Sequence, residues 1–103
     1  MARPKYDGVV EAVHYQEDGQ VAWVRAFLRR GPIWSDKILL DRPALIEQLR
    51  AGKRFVAGKR VPRMAGTFET SDPLKIITKD GQEVLVVGDR QADRDDLNGI
   101  PIL

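Results

Sequence analysis

The sequence predicts a mainly β domain with one short helix, and three observations carry that prediction. Asp-Gly pairs at 18–19 and 80–81 each separate two runs of alternating apolar and polar residues, the signature of a tight hairpin. One stretch, Asp41 to Gly52, repeats its apolar residues at helical spacing between a start and a stop signal. The 103 residues are 43% hydrophobic and 31% charged, enough apolar surface to close one core and too little chain for two.

Taken in order, the first hairpin joins the run ending at Tyr15 to "VAWVRAFLRR" through Asp18-Gly19. A two-residue type I′ turn there sets Val13 against Val24, Tyr15 against Ala22 and Val9 against Leu28 on one face. On the other face it pairs His14 with Trp23, Ala12 with Arg25 and Val10 with Phe27. The next turn falls at Gly31-Pro32. A three-residue loop sorts polarity best there, placing Trp34, Ile38 and Leu40 beside Val24, and Ile33, Ser35, Lys37 and Leu39 beside Trp23, Arg25 and Phe27.

The helix follows, with Asp41 as N-cap, Pro43 in the first turn where its missing N–H costs little, and Gly52 as a left-handed stop. Leu45, Ile46 and Leu49 share one side and plug the end of the sheet. "KRFVAGKRV" alternates as a strand with a bulge expected at Gly58, and "PRMAGTFETSDP" is an irregular connection with a short strand expected at Thr67 to Thr70. A second hairpin pairs Leu74–Thr78 with Glu83–Val87, Ile77 opposite Val84 and Ile76 opposite Leu85; both its faces are apolar, which predicts a central place. Residues 92–97 read as one or two helical turns, and "GIPIL" either docks on the body or awaits a partner.

The order is therefore β-β-β-α-β-β, with room for an extra strand. It predicts a small five- to six-stranded antiparallel β-barrel, OB-like or SH3-like, over residues 1–90, with a charged then apolar C-terminal tail at 91–103. No apolar run is long enough for a signal peptide or a membrane span, and the absence of cysteine fits a reducing compartment, so a cytoplasmic location is expected.

Catalytic chemistry finds little support. The only histidine is His14 and the only serines are Ser35 and Ser71, so a nucleophile and base would have to come from these three. Asp89, Asp93, Asp95 and Asp96 alternate with arginines as a solvated helical face does, and no His or Cys cluster accompanies them. "GKRFVAGKR" has the wrong glycine spacing for a phosphate loop and lacks its hydroxyl. No catalytic residue, metal or cofactor is predicted.

Charge distribution is more informative. From Gln48 to Phe68 there are six basic residues and no acid, while the rest of the chain carries 11 basic against 15 acidic residues. On the strand "VAWVRAFLRR" the odd positions interleave rings with cations: Trp23, Arg25, Phe27, Arg29. Rings that stack on bases beside cations that neutralise phosphates are what single-stranded nucleic acid requires. The expected function is non-enzymatic binding of single-stranded or structured RNA or DNA, through Trp23, Arg25, Phe27 and Arg29 together with Arg54, Lys59, Arg60 and Arg63. The alternative is a protein-interaction or assembly module, in which the Trp23/Phe27 face or the apolar tail docks on a partner or a second copy. The same rings would serve equally as a second buried face, with the arginines reaching to its edge.

Overall fold

The computed structural model describes residues 6–30, 33–35, 37–60, 68–88, 92, 94–97 and 99–103, with Arg30 and Arg60 described by their backbone. Strands β1 (Gly8–Tyr15), β2 (Val21–Arg30), β3 (Ile33–Trp34) and β4 (Ile38–Asp41) precede helix α1 (Arg42–Arg50). Strands β5 (Phe55–Arg60), β6 (Phe68–Lys79) and β7 (Gln82–Val87) follow it. The mainly β class with one helix is observed. The seven strands form one mixed sheet in the order β3-β2-β1-β5-β6-β7, with β4 also paired to β2.

Two parts of the expected architecture are corrected. The ladders do not close into a barrel: among the described residues, no pairing joins the β3/β4 end to the β7 end. Nor is the sheet all antiparallel, since β5 runs parallel to β1, with Gly8, Val9 and Val10 beside Phe55, Val56 and Ala57. The cause is the helix. β4 runs in the direction of β1, and α1 carries the chain back over the sheet so that β5 enters in the same direction, as a parallel crossover requires.

The two Asp-Gly turns differ. At 80–81 both central residues have positive φ, Asp80 at 51° and Gly81 at 79°, so the turn is two residues long and the expected register holds, Ile77 opposite Val84 and Ile76 opposite Leu85. At 18–19 only Gly19 is left-handed, at 89°. Gly19 N–H donates to Gln16 O and Gln16 N–H to Gln20 O, closing a three-residue loop over Glu17, Asp18 and Gly19. Tyr15 therefore faces Val21, not Ala22. A shift at Ala22 restores the expected pairs Val13/Val24, His14/Trp23 and Ala12/Arg25, and a second shift at Glu11 sets Val9 against Phe27 and Val10 against Ala26.

β4 keeps the three-residue-loop register, with Leu40 opposite Val24 and Leu39 opposite Arg25. β3 lies one residue out of step with it, with Trp34 opposite Arg29, so Trp34 stands on the face opposite the one expected. α1 begins as expected: Asp41 Oδ1 accepts the Ala44 N–H at 2.9 Å, and Gly52 follows the helix with φ 89°. Leu45 and Ile46 are buried on the sheet, each contributing roughly 1.5–3 kcal/mol.

Gly58 sits where β5 and β6 shift register, and the extra residue belongs to β6. A Cβ on Gly58 would meet Glu69 O at 2.5 Å, so glycine lets the two backbones approach. Of the short strand expected at 67–70, Phe68 to Thr70 is part of a continuous β6, and Thr67 lies outside the described residues. The β6–β7 hairpin ends the strand order, where central placement was expected. Its outer edge is covered by the C-terminal segment.

Among its described residues, 95–97 form no helix, where a helical turn was expected, and a turn follows in which Ile100 N–H donates to Leu97 O and Gly99 has φ 93°. Asp96 bridges Val86 and Ile102 bridges Val13, both in parallel sense. Leu97 and Ile100 join the core with Val10, Val13, Val24, Leu45, Phe55, Leu74 and Leu85. Asp95 is 6% exposed and accepts from Val21 N–H (2.8 Å), Leu85 N–H (3.0 Å) and Arg42 Nε and Nη2 (2.8 and 3.1 Å). One carboxylate thus ties together β2, β7, the start of α1 and the C-terminal segment.

Candidate nucleic-acid interface

The odd-numbered face of β2 is built as the alternation predicts, and its side chains are engaged within the fold. Trp23 is half-buried and stacks on His14 at 5.1 Å with the rings 20° apart. Arg25 Nε donates to Glu11 Oε1 at 2.6 Å, and Lys37 Nζ lies 3.5 Å from the same oxygen. Phe27 is 1% exposed beneath Phe68, 5.2 Å away. Phe68 packs edge-on against Trp34 at 4.7 Å, and Trp34 meets Tyr6 at 5.7 Å. Arg29 Nη2 donates to Asp7 Oδ1 at 3.0 Å.

Of the two rings expected to stack on bases, Trp23 alone keeps exposed surface. Phe27 belongs to a second apolar layer behind the sheet, covered by a residue 41 positions later in the chain. The counter-charges were not legible beforehand. Glu11 is the residue left unpaired by the register shift in β1, and Asp7 precedes the strand. Asp7 also accepts the Arg54 N–H through Oδ2 at 3.0 Å. That bond holds its carboxyl below the usual range; burial opposes it, and the Arg29 hydrogen bond and the charges of Lys53 and Arg29 reinforce it.

The cations of the 48–68 stretch divide. Arg54 is exposed at the entry to β5. Lys59 is exposed on β5 with Glu69 3.7 Å away, a pairing loose enough to leave its charge hydrated. The Arg60 side chain and all of Arg63 lie outside the described residues. Arg50 is paired with Glu83. Lys53 and Arg54, from the loop after α1, and Lys75 of β6 line one groove of about 690 Å³ between the end of α1 and β6. Leu49, Val56, Pro73 and Ile76 line it as well. Lys53, Arg54 and Lys75 are all exposed, and among the described lining residues none is acidic.

Exposed apolar surface lies elsewhere. Leu39 (61% exposed) stands beside Arg25 on the Trp23 face, and His14 donates from Nδ1 to Leu103 O at 2.9 Å, the carbonyl being able only to accept. Ile102 and Leu103 remain 71% and 48% exposed although the segment is docked through Val13. Comparison with protein-family models, with curated proteins and with solved structures returned no match, so function is argued from this chain's own geometry.

Proposed function

We propose that this protein is a non-catalytic module that binds single-stranded nucleic acid, with the groove between the end of α1 and β6 as its principal contact. The observation that carries the reading is the convergence of Lys53, Arg54 and Lys75 on one groove that Leu49, Val56, Pro73 and Ile76 also line. Clustered cations suit a phosphate backbone, and apolar side chains beside them suit unstacked bases. Lys59 extends the positive strip along β5. Arg25 and Arg29, whose charges are met by Glu11 and Asp7, contribute less than their number suggests. An OB-like or SH3-like kinship, with the barrel left open at the β4 and β7 edges, is part of the same proposal.

Fluorescence anisotropy with labelled oligouridylate and oligothymidylate tests it across a salt series. Three phosphate contacts give a log–log salt slope of about −2, and Lys53→Ala/Arg54→Ala/Lys75→Ala brings that slope close to zero. Binding unchanged in the triple variant, or absent at low salt, sinks the proposal.

A further inference from the structure

The outer edge of β4 carries a second candidate surface. β4 pairs with β2 on one side, and among the described residues no strand covers its other side. β4 is short and ends on the charge of Asp41, but Ile38, Leu39 and Leu40 carry none of the prolines, bulges or charges that protect other edges. Leu39 is 61% exposed, and its neighbours Ile38 and Leu40 are half-buried.

We propose that this edge pairs with the β4 edge of a second copy of the chain, antiparallel about a twofold axis through Leu39. Charge complementarity within one short stretch favours this pairing. Lys37-Ile38-Leu39-Leu40-Asp41 has opposite charges at its ends and apolar residues between them, so it complements its own reverse. In the register centred on Leu39, Lys37 faces Asp41 of the second copy, Ile38 faces Leu40, and Leu39 faces Leu39. Residues opposite one another share a face, so Lys37, Leu39 and Asp41 of both copies meet on the Trp23 side, and both cores stay on the other side. Moving the register by one residue would set Lys37 against Arg42 and Ile38 against Asp41, which opposes like charges and pairs an apolar residue with a carboxylate. Asp41 can serve both partners, since capping Ala44 uses Oδ1 and leaves Oδ2 available, and Lys37, 55% exposed and 3.5 Å from a Glu11 oxygen that Arg25 holds more closely, would exchange that contact for Asp41 of the second copy.

The test uses the whole chain, which contains no cysteine of its own. Sedimentation velocity from about 5 to 500 µM should show a concentration-dependent dimer, since a short ladder lies at the small end of specific interfaces. Leu39→Lys should raise the dimer dissociation constant at least about tenfold by setting like charges opposite each other. The variant's circular dichroism should be unchanged, because Leu39 is exposed in the monomer. Leu39→Cys should cross-link through a 39–39 disulfide under mild oxidation, whereas Ile33→Cys, 65% exposed on β3, should not. A monomer throughout the concentration range overturns the proposal. So does equal cross-linking of the two cysteine variants, which would show collision without register.

Discussion

Replacing Asp95 by alanine removes the carboxylate that joins β2, β7, the start of α1 and the C-terminal segment. Its carboxylate accepts two backbone N–H groups, from Val21 and Leu85, and two guanidinium N–H groups from Arg42, with the Asp95 side chain 1% exposed. Alanine leaves both amides without this acceptor at about 1–3 kcal/mol each. It also leaves a guanidinium without its carboxylate, and breaking a buried pair from one side costs about 3–5 kcal/mol in all. The Arg42 side chain is 19% exposed and recovers some hydration, so about 3–4 kcal/mol is expected. With a urea m value near 1.5 kcal/mol/M, the unfolding midpoint should fall by about 2 M. Glu17→Ala in the exposed turn is the control and should stay within about 0.5 kcal/mol of the parent. A loss under about 1 kcal/mol for Asp95→Ala would refute the reasoning, because the four hydrogen bonds would then be no better than those made to water.

The same contact has a pH signature. Burial pushes the Asp95 carboxyl upward, but the Arg42 hydrogen bond, the Leu85 and Val21 amides and the guanidinium charge outweigh it and hold the pKa below the ordinary 3.8. A depressed acid stabilises the fold above its unfolded pKa, because the unfolded chain takes up the proton first as the pH falls. The contribution is therefore complete above pH 3.8 and is lost as pH drops from there through the lower folded value. Unfolding free energies from urea titrations between about pH 5 and pH 2 should fall more steeply for the parent than for Asp95→Asn, by up to about 1.4 kcal/mol per pH unit. Equal slopes would mean that Asp95 is not the titrating group.

Two further substitutions separate packing from binding. Phe27→Ala should cost about 3–5 kcal/mol by thermal or urea unfolding, since the ring is 1% exposed under Phe68; a loss below about 1 kcal/mol would mean that the second apolar layer does not form. Gly58→Ala should cost about 1–3 kcal/mol, because its Cβ would lie 2.5 Å from the Glu69 carbonyl oxygen and 3.1 Å from Val9 Cγ1, and a stability equal to the parent's would show that β5 and β6 can part without loss.

How much of this was legible in the sequence depended on how local the cause was. Asp80-Gly81 set its register correctly because a two-residue turn with both φ values positive allows no other pairing of the flanking strands. Asp18-Gly19 is the same dipeptide and closes a three-residue loop, so the dipeptide marks a turn without choosing its length. Three pairs in that hairpin agree with the two-residue register only because one shift at Ala22 offsets the loop and another at Glu11 undoes it again. The helix, whose cap, first-turn proline and stop are all adjacent residues, was readable to within a residue or two.

The candidate site was harder to read, because exposure is decided by distant elements. Alternation placed Trp23, Arg25, Phe27 and Arg29 on one face, and they do share it. Whether that face met water turned on Phe68, brought over Phe27 by β6, and on Asp7 and Glu11 across the sheet. Asp95 is the sharper case. Its neighbours in the chain are charged, so composition marks a solvated run, while the fold aims this one carboxylate at two strand amides and at an arginine 53 positions away. The only local hint is its place two residues before Leu97, which in an extended chain puts both on the buried side. The basic stretch divides by the same logic. Lys53 and Arg54 sit in the short loop leaving α1, and β6 supplies Lys75 to the same groove. Sequence showed that positive charge would concentrate; the crossover from α1 into β5 determines which cations face a groove, and Lys53, Arg54 and Lys75 are therefore the residues on which the binding proposal stands.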